Sequence, residues 1–191
     1  GANELANAAP GCDRQIPSPP DGAMDLGVDN RPSRKELFRQ GEFMPSTHLS
    51  LHYHLVFSTK ERRNFIDAAW RDRLHAYMGG VIRSLNGFPE MIGGIADHVH
   101  LLIGLRATHC LADVMRDLKS ASAEWVHEEI RMAIFSWQEG YGAFTVSASN
   151  REQVSQYIKR QEEHHRHRTF QEEYRELLKR SGVEFDDRYL W

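Results

Sequence analysis

The chain of 191 residues is 40% apolar and 27% charged, with a formal net charge of −3, which is the composition of one ordinary globular domain. Two cysteines are too few for a disulfide framework, and a sequence without an eighteen-residue apolar run or a secretory segment predicts a cytoplasmic protein with no membrane partner. The slightly negative charge excludes the overall basic excess that is typical of nucleic-acid-binding domains, so any affinity for nucleic acid has to come from local patches.

Residues 1–43 differ in composition from the rest of the chain. They are rich in Gly, Ala, Asn, Pro and Asp and show little hydrophobic periodicity. The sequence Gly41-Glu42-Phe43 directly before Met44 is typical of a cloning scar. We therefore expect residues 1–43 to be a vector-derived leader or a disordered extension. Residues 44–191, which are nearly neutral in charge, are expected to form the functional domain.

Residues 49–58 are predicted to form the first strand, because apolar and polar side chains alternate along them. The alternation places His52 and His54 on the face opposite the large apolar side chains. These histidines could border a functional site, and a solvated or hydrogen-bonding role is favoured over direct metal ligation. The loop that follows contributes three cations that could contact phosphates, namely Lys60, Arg62 and Arg63.

Residues 67–85 follow the periodicity of an amphipathic helix. Asp67 is its expected N-cap, and the sequence Asn86-Gly87 is expected to terminate it. Residues 90–96 are predicted to be a second strand. Two consecutive glycines in this strand, at positions 93 and 94, indicate a bulge or the close approach of another backbone.

Residues 98–105 are predicted to be a third strand, residues 111–126 a second long helix, and residues 140–147 a fourth strand. The resulting βαββαβ order predicts an α+β fold, namely a ferredoxin-like (RRM-like) sandwich. In this architecture both helices cover one face of the sheet. The other face is left open for an additional element.

The third strand carries two histidines, His98 and His100, separated by one residue. Both imidazoles point to the open face, whereas Val99, Leu101 and Ile103 point into the core. Imidazoles on a rigid strand are well-placed ligands for a divalent cation, but two ligands rarely fix an ion, so a third is expected from elsewhere in the fold. Taken alone, the pattern also fits two histidines on a half-exposed strand face.

An added helix is predicted at residues 151–167, where it would cover the open face of the sheet. Tyr157, Gln161 and His164 share one stripe of this helix, because they follow each other at spacings of four and three residues. A tyrosine that packs over the sheet with its hydroxyl in water is the alternative explanation of this stripe. The amphipathic segment from Phe170 onward and the aromatic tail are expected to contribute packing.

The His98-Val99-His100 motif on the third strand, Tyr157 roughly sixty residues later and Gln161 four residues further on together resemble the HUH single-tyrosine (Y1) transposases of the IS200/IS605 insertion-sequence group. Three longer stretches are also similar to recurrent phrases of that family, at residues 53–57, 137–144 and 157–165. The resemblance covers roughly residues 48–191.

The resemblance implies that the protein cleaves and rejoins single-stranded DNA with a tyrosine nucleophile, through a 5′-phosphotyrosine intermediate. By motif, Tyr157 would be the nucleophile, His98 and His100 would be metal ligands, and Gln161 would be the third ligand. Two nitrogens and an amide oxygen suit Mn²⁺ rather better than Mg²⁺, although either ion could serve. No nucleotide cofactor is expected, since the phosphotyrosine ester keeps the bond energy of the broken phosphodiester.

The resemblance also implies partners and a location. The substrates would be single-stranded DNA ends with hairpins, in a bacterial or archaeal cytoplasm. Because one tyrosine allows one covalent link per subunit, a homodimer is expected, with the tyrosine helix able to serve the histidine pair of either subunit. Candidate contacts to the DNA backbone are Lys60, Arg62, Arg63, Lys159 and Arg160, with Lys119, Arg166 and Arg168 as further candidates.

Three alternatives remain open at the level of the sequence. The first is a domesticated relative, a REP-associated tyrosine transposase, which acts on repeated extragenic palindromes. The second is a non-catalytic module that binds single-stranded nucleic acid, although such a module is expected to carry stacking aromatic residues on its central strands, where this chain has His98 and His100. The third is a two-histidine phosphoesterase, which would need a second His-x-Ser/Thr element.

Overall fold

The structure, a computed structural model, describes residues 48–190, so the expectation for residues 1–43 lies outside the described residues. The strands are β1 (His52–Ser58), β2 (Phe88–Gly94), β3 (His98–Gly104) and β4 (Gly142–Val146). The helices are α1 (Ala68–Ser84), α2 (Leu111–Trp125), α3 (Arg151–Lys159), α4 (Gln161–His164) and α5 (Phe170–Arg180). Short helical turns lie at Lys60–Arg62, Val126–Ile130, Ala148–Asn150 and Asp187–Tyr189.

The four strands form one antiparallel sheet in the order β2-β3-β1-β4. With one helix in each βαβ half, this is the ferredoxin-like βαββαβ arrangement, and the predicted α+β fold is confirmed. The central pair β1 and β3 is in register with Val56 opposite His100 and Ser58 opposite His98. On the other side of β3, His100 is paired with Gly93 of β2.

The main core lies between the sheet and the helices α1 and α2. Alternate strand residues enter it, and Leu55, Leu101 and Ile103 are fully buried there. Leu74 of α1 and Leu118 of α2 pack against them and are fully buried as well. Burial of such side chains supplies about 1.5–3 kcal/mol each, so this layer carries most of the stability of the fold.

The second face of the sheet is covered by two small apolar clusters. Leu102 of β3 packs with Ile158 of α3, and Val56 of β1 packs with Phe170 and Leu178 of α5. The sequence predicted a covering role for the tyrosine helix alone. The structure adds α5 to this layer, which therefore consists of α3 and α5 side by side on the sheet.

The prediction of one continuous helix over residues 151–167 is wrong. α3 ends at Lys159, and Arg160 has φ −100° and ψ 20°, after which the short helix α4 begins at Gln161. The break accompanies a tertiary contact, since the buried amide of Gln161 donates to the carboxylate of Glu173 at 3.0 Å. A buried hydrogen bond of this kind outweighs the small gain from helical continuity.

The ends of the helices and strands are set by hydrogen bonds, and some of them differ from the ends predicted from the sequence. Asp67 caps α1 as predicted, with its Oδ1 accepting from the backbone N–H of Ala69 at 2.8 Å. β1 begins at His52 rather than at residue 49, and β2 spans Phe88–Gly94 rather than residues 90–96, because these are the residues that pair with β3. None of the helices in residues 48–190 is long and apolar enough to cross a lipid bilayer.

Leu101→Ala should lower the free energy of unfolding by about 2–5 kcal/mol, because it leaves a cavity in the fully buried core. Urea denaturation followed by circular dichroism measures the loss. Leu49→Ala is the matched control, since Leu49 is 54% exposed, and its effect should stay within about 0.5 kcal/mol. Equal losses in both variants would contradict the placement of the main core.

Candidate active site

His98 and His100 lie on the second face of the sheet, and both are fully buried. Each ring is oriented by a hydrogen bond through Nδ1. Nδ1 of His98 lies 2.7 Å from Oδ1 of Asp97, and Nδ1 of His100 lies 2.9 Å from Nε2 of His54. The prediction that His54 borders a site as a hydrogen-bonding residue agrees with this contact. His52 contacts Glu90 instead, at 2.6 Å from Nδ1 to Oε1.

A third imidazole, that of His165, joins the pair from the segment between α4 and α5. Its Nδ1 donates to the carbonyl oxygen of Arg168 at 2.8 Å. His98 likewise donates from Nδ1 to the carboxylate of Asp97, and His100 can donate from Nδ1 to His54. In these tautomers all three rings turn an Nε2 lone pair toward the same point. A hydrogen bond from the other ring nitrogen is what orients a histidine ligand toward a metal.

The carboxylate of Glu173, on α5, lies at the centre of these rings and is 2% exposed. Its Oε2 is 3.0 Å from Nε2 of His165, 3.4 Å from Nε2 of His100 and 3.7 Å from Nε2 of His98. Among the described residues, Oε2 of Glu173 and Nε2 of His100 and His165 form no hydrogen bond. Buried polar atoms without partners are costly, and their convergence indicates a place for a cation.

The residues of the predicted tyrosine stripe face the same carboxylate. The hydroxyl of Tyr157 donates to Oε1 of Glu173, and its ring centroid lies 5.8 Å from that of His100. Gln161, which is 1% exposed, donates from Nε2 to the same oxygen at 3.0 Å. Its Oε1 lies 3.4 Å from Nε2 of His98. The alternative of a tyrosine hydroxyl in water is therefore wrong.

Burial dominates the electrostatics of the site. It raises the pKa of Glu173 to about 7, because an ionised carboxylate is poorly solvated there. It lowers the pKa of His165 to about 4 and holds the pKa of His100 well below its usual value, in each case with neighbouring imidazoles adding to the effect. Burial, followed by the proximity of His100, lowers the pKa of His54 to about 3. These imidazoles are therefore neutral near pH 7, which leaves their lone pairs available.

The donor set fits a divalent transition-metal ion. One ligand atom from each of His98, His100, His165 and Glu173 lies within 4.8 Å of the others. Imidazoles with a carboxylate and an amide oxygen form a mixed nitrogen and oxygen set, which suits Mn²⁺ or a similar ion better than Mg²⁺, whose preferred ligands are oxygens. The carboxylate would also balance part of the charge of such an ion.

The structure brings together the four residues that the sequence nominated, His98, His100, Tyr157 and Gln161. Two further residues of the site, Glu173 and His165, were not predicted. His165 lies inside the stretch at residues 157–165 that carried the family resemblance. The signal for Glu173 is weaker, namely an acidic residue on the stripe of α5 that otherwise buries Phe170 and Leu178.

The predicted DNA-contacting cations are distributed unevenly around this site. Arg160 is exposed and lines a groove of about 780 Å³ that opens beside Tyr157, together with Arg168 and His167. Arg62 lines a second groove, of about 450 Å³, that reaches His165.

Other predicted cations are exposed or make contacts within the fold. Lys159 is exposed at the end of α3, and Lys60 is exposed in the turn after β1. Arg63 pairs with Glu61 at 2.5 Å. Lys119 has a structural role, since its Nζ donates to three consecutive backbone carbonyls, at residues 138–140, over 2.5–3.0 Å.

Both the sequence and the fold are similar to those of known proteins. Residues 47–161 match the family model described as "Transposase IS200 like". ISDra2 transposase TnpA of Deinococcus radiodurans is 28% identical over 118 residues, which cover 58% of this chain and 84% of the relative.

Two solved structures are also similar. One is a Deinococcus radiodurans protein assigned as a transposase, with 25% identity, a TM-score of 0.49, and coverage of 62% of this chain and 97% of the other. The second is a REP-associated tyrosine transposase bound to a REP hairpin, with 12% identity, a TM-score of 0.49, and coverage of 65% of this chain and 74% of the other.

Glu173→Gln should change the pH dependence of stability in metal-free protein. The pKa of Glu173 is raised from 4.5 to about 7 in the folded state. Its stabilising contribution to the free energy of unfolding is therefore fully present below pH 4.5 and is lost as the pH rises to about 7. The free energy of unfolding of the wild type, relative to the variant, should therefore fall over this range by at most about 1.4 kcal/mol per pH unit. Denaturation curves at several pH values, recorded with a chelator, measure it.

Glu172→Gln is the control on the same helix. Hydrogen bonds from the backbone and side chain of Thr169 lower the pKa of Glu172. Its contribution is therefore present above pH 4.5 and is lost as the pH falls, which is the opposite sign. If the free energy of unfolding changed with pH in the same direction in both comparisons, the raised pKa of a buried Glu173 would be contradicted.

Proposed function

The chain belongs to the family of IS200-like transposases, and on this premise we propose that it cleaves and rejoins single-stranded DNA through a covalent link to Tyr157. The observation that carries the proposal is the convergence of a phenol and three imidazole lone pairs around one buried point. The ring of Tyr157 is 5.8 Å from that of His100. A nucleophile and a cation site this close together can contact the same phosphate group.

The chemistry is a transesterification at phosphorus. The hydroxyl oxygen of Tyr157 attacks the scissile phosphate and forms a phosphotyrosine ester at the 5′ end of the downstream strand. The bond to the 3′ oxygen breaks, and the upstream strand leaves with a 3′ hydroxyl group. The phenolic proton leaves the nucleophile and the departing 3′ oxygen gains one, so that protons balance. Rejoining is the reverse reaction, with a 3′ hydroxyl as the attacking group, and it needs no nucleotide cofactor because the ester bond is retained throughout.

The proposed cation ligands are His98, His100 and Gln161, as the family resemblance implies, with His165 and Glu173 as additions from the geometry. A divalent ion at this site would supply charge neutralisation at the phosphate and would favour in-line attack. His98 and His100 would hold it through Nε2, since their rings are oriented by Asp97 and His54 through Nδ1. Because the set is rich in nitrogen, Mn²⁺ is favoured over Mg²⁺.

The groove beside Tyr157 is the proposed path of the DNA strand at the site. Its lining combines the cations Arg160 and Arg168 with polar side chains of α3, such as Gln153 and Gln156. Guanidinium groups on a groove wall attract a phosphate backbone without reading its sequence. Lys159 and the loop cations Lys60, Arg62 and Arg63 are proposed to contact the DNA backbone outside this groove.

Two copies of the chain are needed to process an element with two ends, because each copy carries one tyrosine at the nucleophile position. A homodimer is therefore part of the proposal, as is a cytoplasmic location, where the DNA substrate resides. The domain responsible is assigned to residues 44–191.

Tyr157→Phe should abolish formation of a covalent protein–DNA adduct. The measurement uses labelled, hairpin-bearing single-stranded oligonucleotides of randomised flanking sequence with Mn²⁺, resolved on a denaturing gel. Tyr174→Phe is the control, since the ring of Tyr174 stacks on that of Phe170 and its hydroxyl lies close to Gly142 of β4, and it should retain the adduct. An adduct in the Tyr157 variant would refute the assignment of the nucleophile.

His165→Ala should weaken Mn²⁺ binding by at least about tenfold, because it removes one converging lone pair or its support. Isothermal titration calorimetry with MnCl₂ measures the affinity without any need for activity. His167→Ala is the matched control, since His167 lies two residues away and is exposed. Equal affinities in both variants would remove His165 from the proposed ligand set.

A further inference from the structure

The tyrosine helix α3 lies directly on strand β2 at a glycine. A Cβ atom added at Gly93 would lie 2.5 Å from the carbonyl oxygen of Ile158 and 2.9 Å from its Cγ2 atom. Real Cβ atoms essentially never approach their neighbours this closely, so the observed contact between the two backbones requires glycine. Ile158 is 1% exposed and directly follows Tyr157 in the chain.

Gly93 also stands next to the histidine strand. The register of β2 and β3 pairs Gly93 with His100, and residues paired across antiparallel strands share a face of the sheet. The space that a side chain at position 93 would fill is thus taken by the backbone of α3, beside His100. This close seating brings the ring of Tyr157 within 5.8 Å of the ring of His100.

A second contact holds the first residue of α3. Nε and Nη2 of Arg151 donate to Oε2 of Glu90 at 2.9 and 2.7 Å, while Oε1 of the same carboxylate lies 2.6 Å from Nδ1 of His52. Glu90 is the residue at which the register of β2 against β3 shifts. Such irregularities redirect a side chain, and here the carboxylate is directed at the start of the tyrosine helix.

We propose that Gly93 and the Glu90–Arg151 pair are positioning residues that hold the tyrosine helix over the histidines of its own subunit. The inference rests on the proposed function, since it concerns where the nucleophile is held. α3 has nine residues, and the two contacts lie at its first and eighth, so both ends of the helix are fixed to β2. In this arrangement one chain carries both the tyrosine and the histidines of a site.

The test compares Gly93→Ala with Gly80→Ala. A Cβ atom at Gly80, which is exposed on α1, would have nothing within 4 Å. Gly93→Ala should raise hydrogen–deuterium exchange in α3, slow adduct formation by about 100-fold, since a displacement near 1 Å has that effect, and leave Mn²⁺ affinity unchanged. Gly80→Ala should leave all three quantities at the wild-type values. Wild-type exchange and rate in Gly93→Ala would overturn the proposal.

Arg151→Lys provides a second test if Gly93→Ala fails to fold. It keeps the positive charge but loses one of the two N–H donors to Glu90. A faster exchange in α3 and a slower adduct, with unchanged Mn²⁺ affinity, would support the proposal, whereas wild-type behaviour would remove Arg151 and Glu90 from it.

The assignment to one subunit is tested by coexpression of Tyr157→Phe and His98→Ala chains with different tags. A helix held in its own chain predicts no adduct in the copurified pair, because neither chain has a complete site. An adduct in the copurified pair would overturn this part of the proposal.

The proposed function and the positioning role can fail separately. If the wild type forms no adduct with any DNA, the proposed function fails. Hydrogen–deuterium exchange in α3 of Gly93→Ala still decides whether Gly93 positions the helix.

Discussion

A buried carboxylate that faces imidazole lone pairs is the constraint on which the rest of the structure depends. Glu173 is almost fully enclosed, and an enclosed charge without partners carries a large free-energy cost. Hydrogen bonds from Tyr157 and Gln161 offset part of that cost, and a cation between the carboxylate and the imidazoles would offset more. Glu173 belongs to α5, and its partners come from β3, α3, α4 and the segment between α4 and α5, so the contacts of one side chain link the elements of the second layer to the sheet.

The two faces of the sheet have different roles: one packs the main core, and the other carries the residues of the candidate site. Residues of β1 and β3 that point to α1 and α2 are aliphatic or aromatic, whereas those that point the other way include His54, His98 and His100. Stability therefore comes mainly from a dry layer that no reacting group enters. The polar layer can tolerate unsatisfied donors and acceptors because the apolar layer carries the folding free energy.

Much of the fold could be predicted because period-two and helical patterns are local properties of the chain. The βαββαβ succession of elements, the shared face of His98 and His100 and the covering role of the tyrosine helix follow from such patterns, and the family resemblance pointed to Tyr157 and Gln161. The role of Glu173 could not be predicted, since a glutamate on an amphipathic helix is ordinarily solvated. The helix break at Arg160 was missed for a related reason: it accompanies the contact between Gln161 and that glutamate.

Because the side chains of β3 alternate strictly between the two faces of the sheet, insertions and deletions affect this strand differently from substitutions. Side-chain direction in a strand depends only on whether a position is odd or even, so a one-residue deletion between His98 and Leu101 would invert every following position. Loss of Val99, for example, would place Leu101 in the present position of His100 on the second face, and His100 would enter the main core. Substitutions along β3 act one side chain at a time, whereas a change in its length disables both layers at once. Evolution of this strand is therefore confined to replacement at constant length.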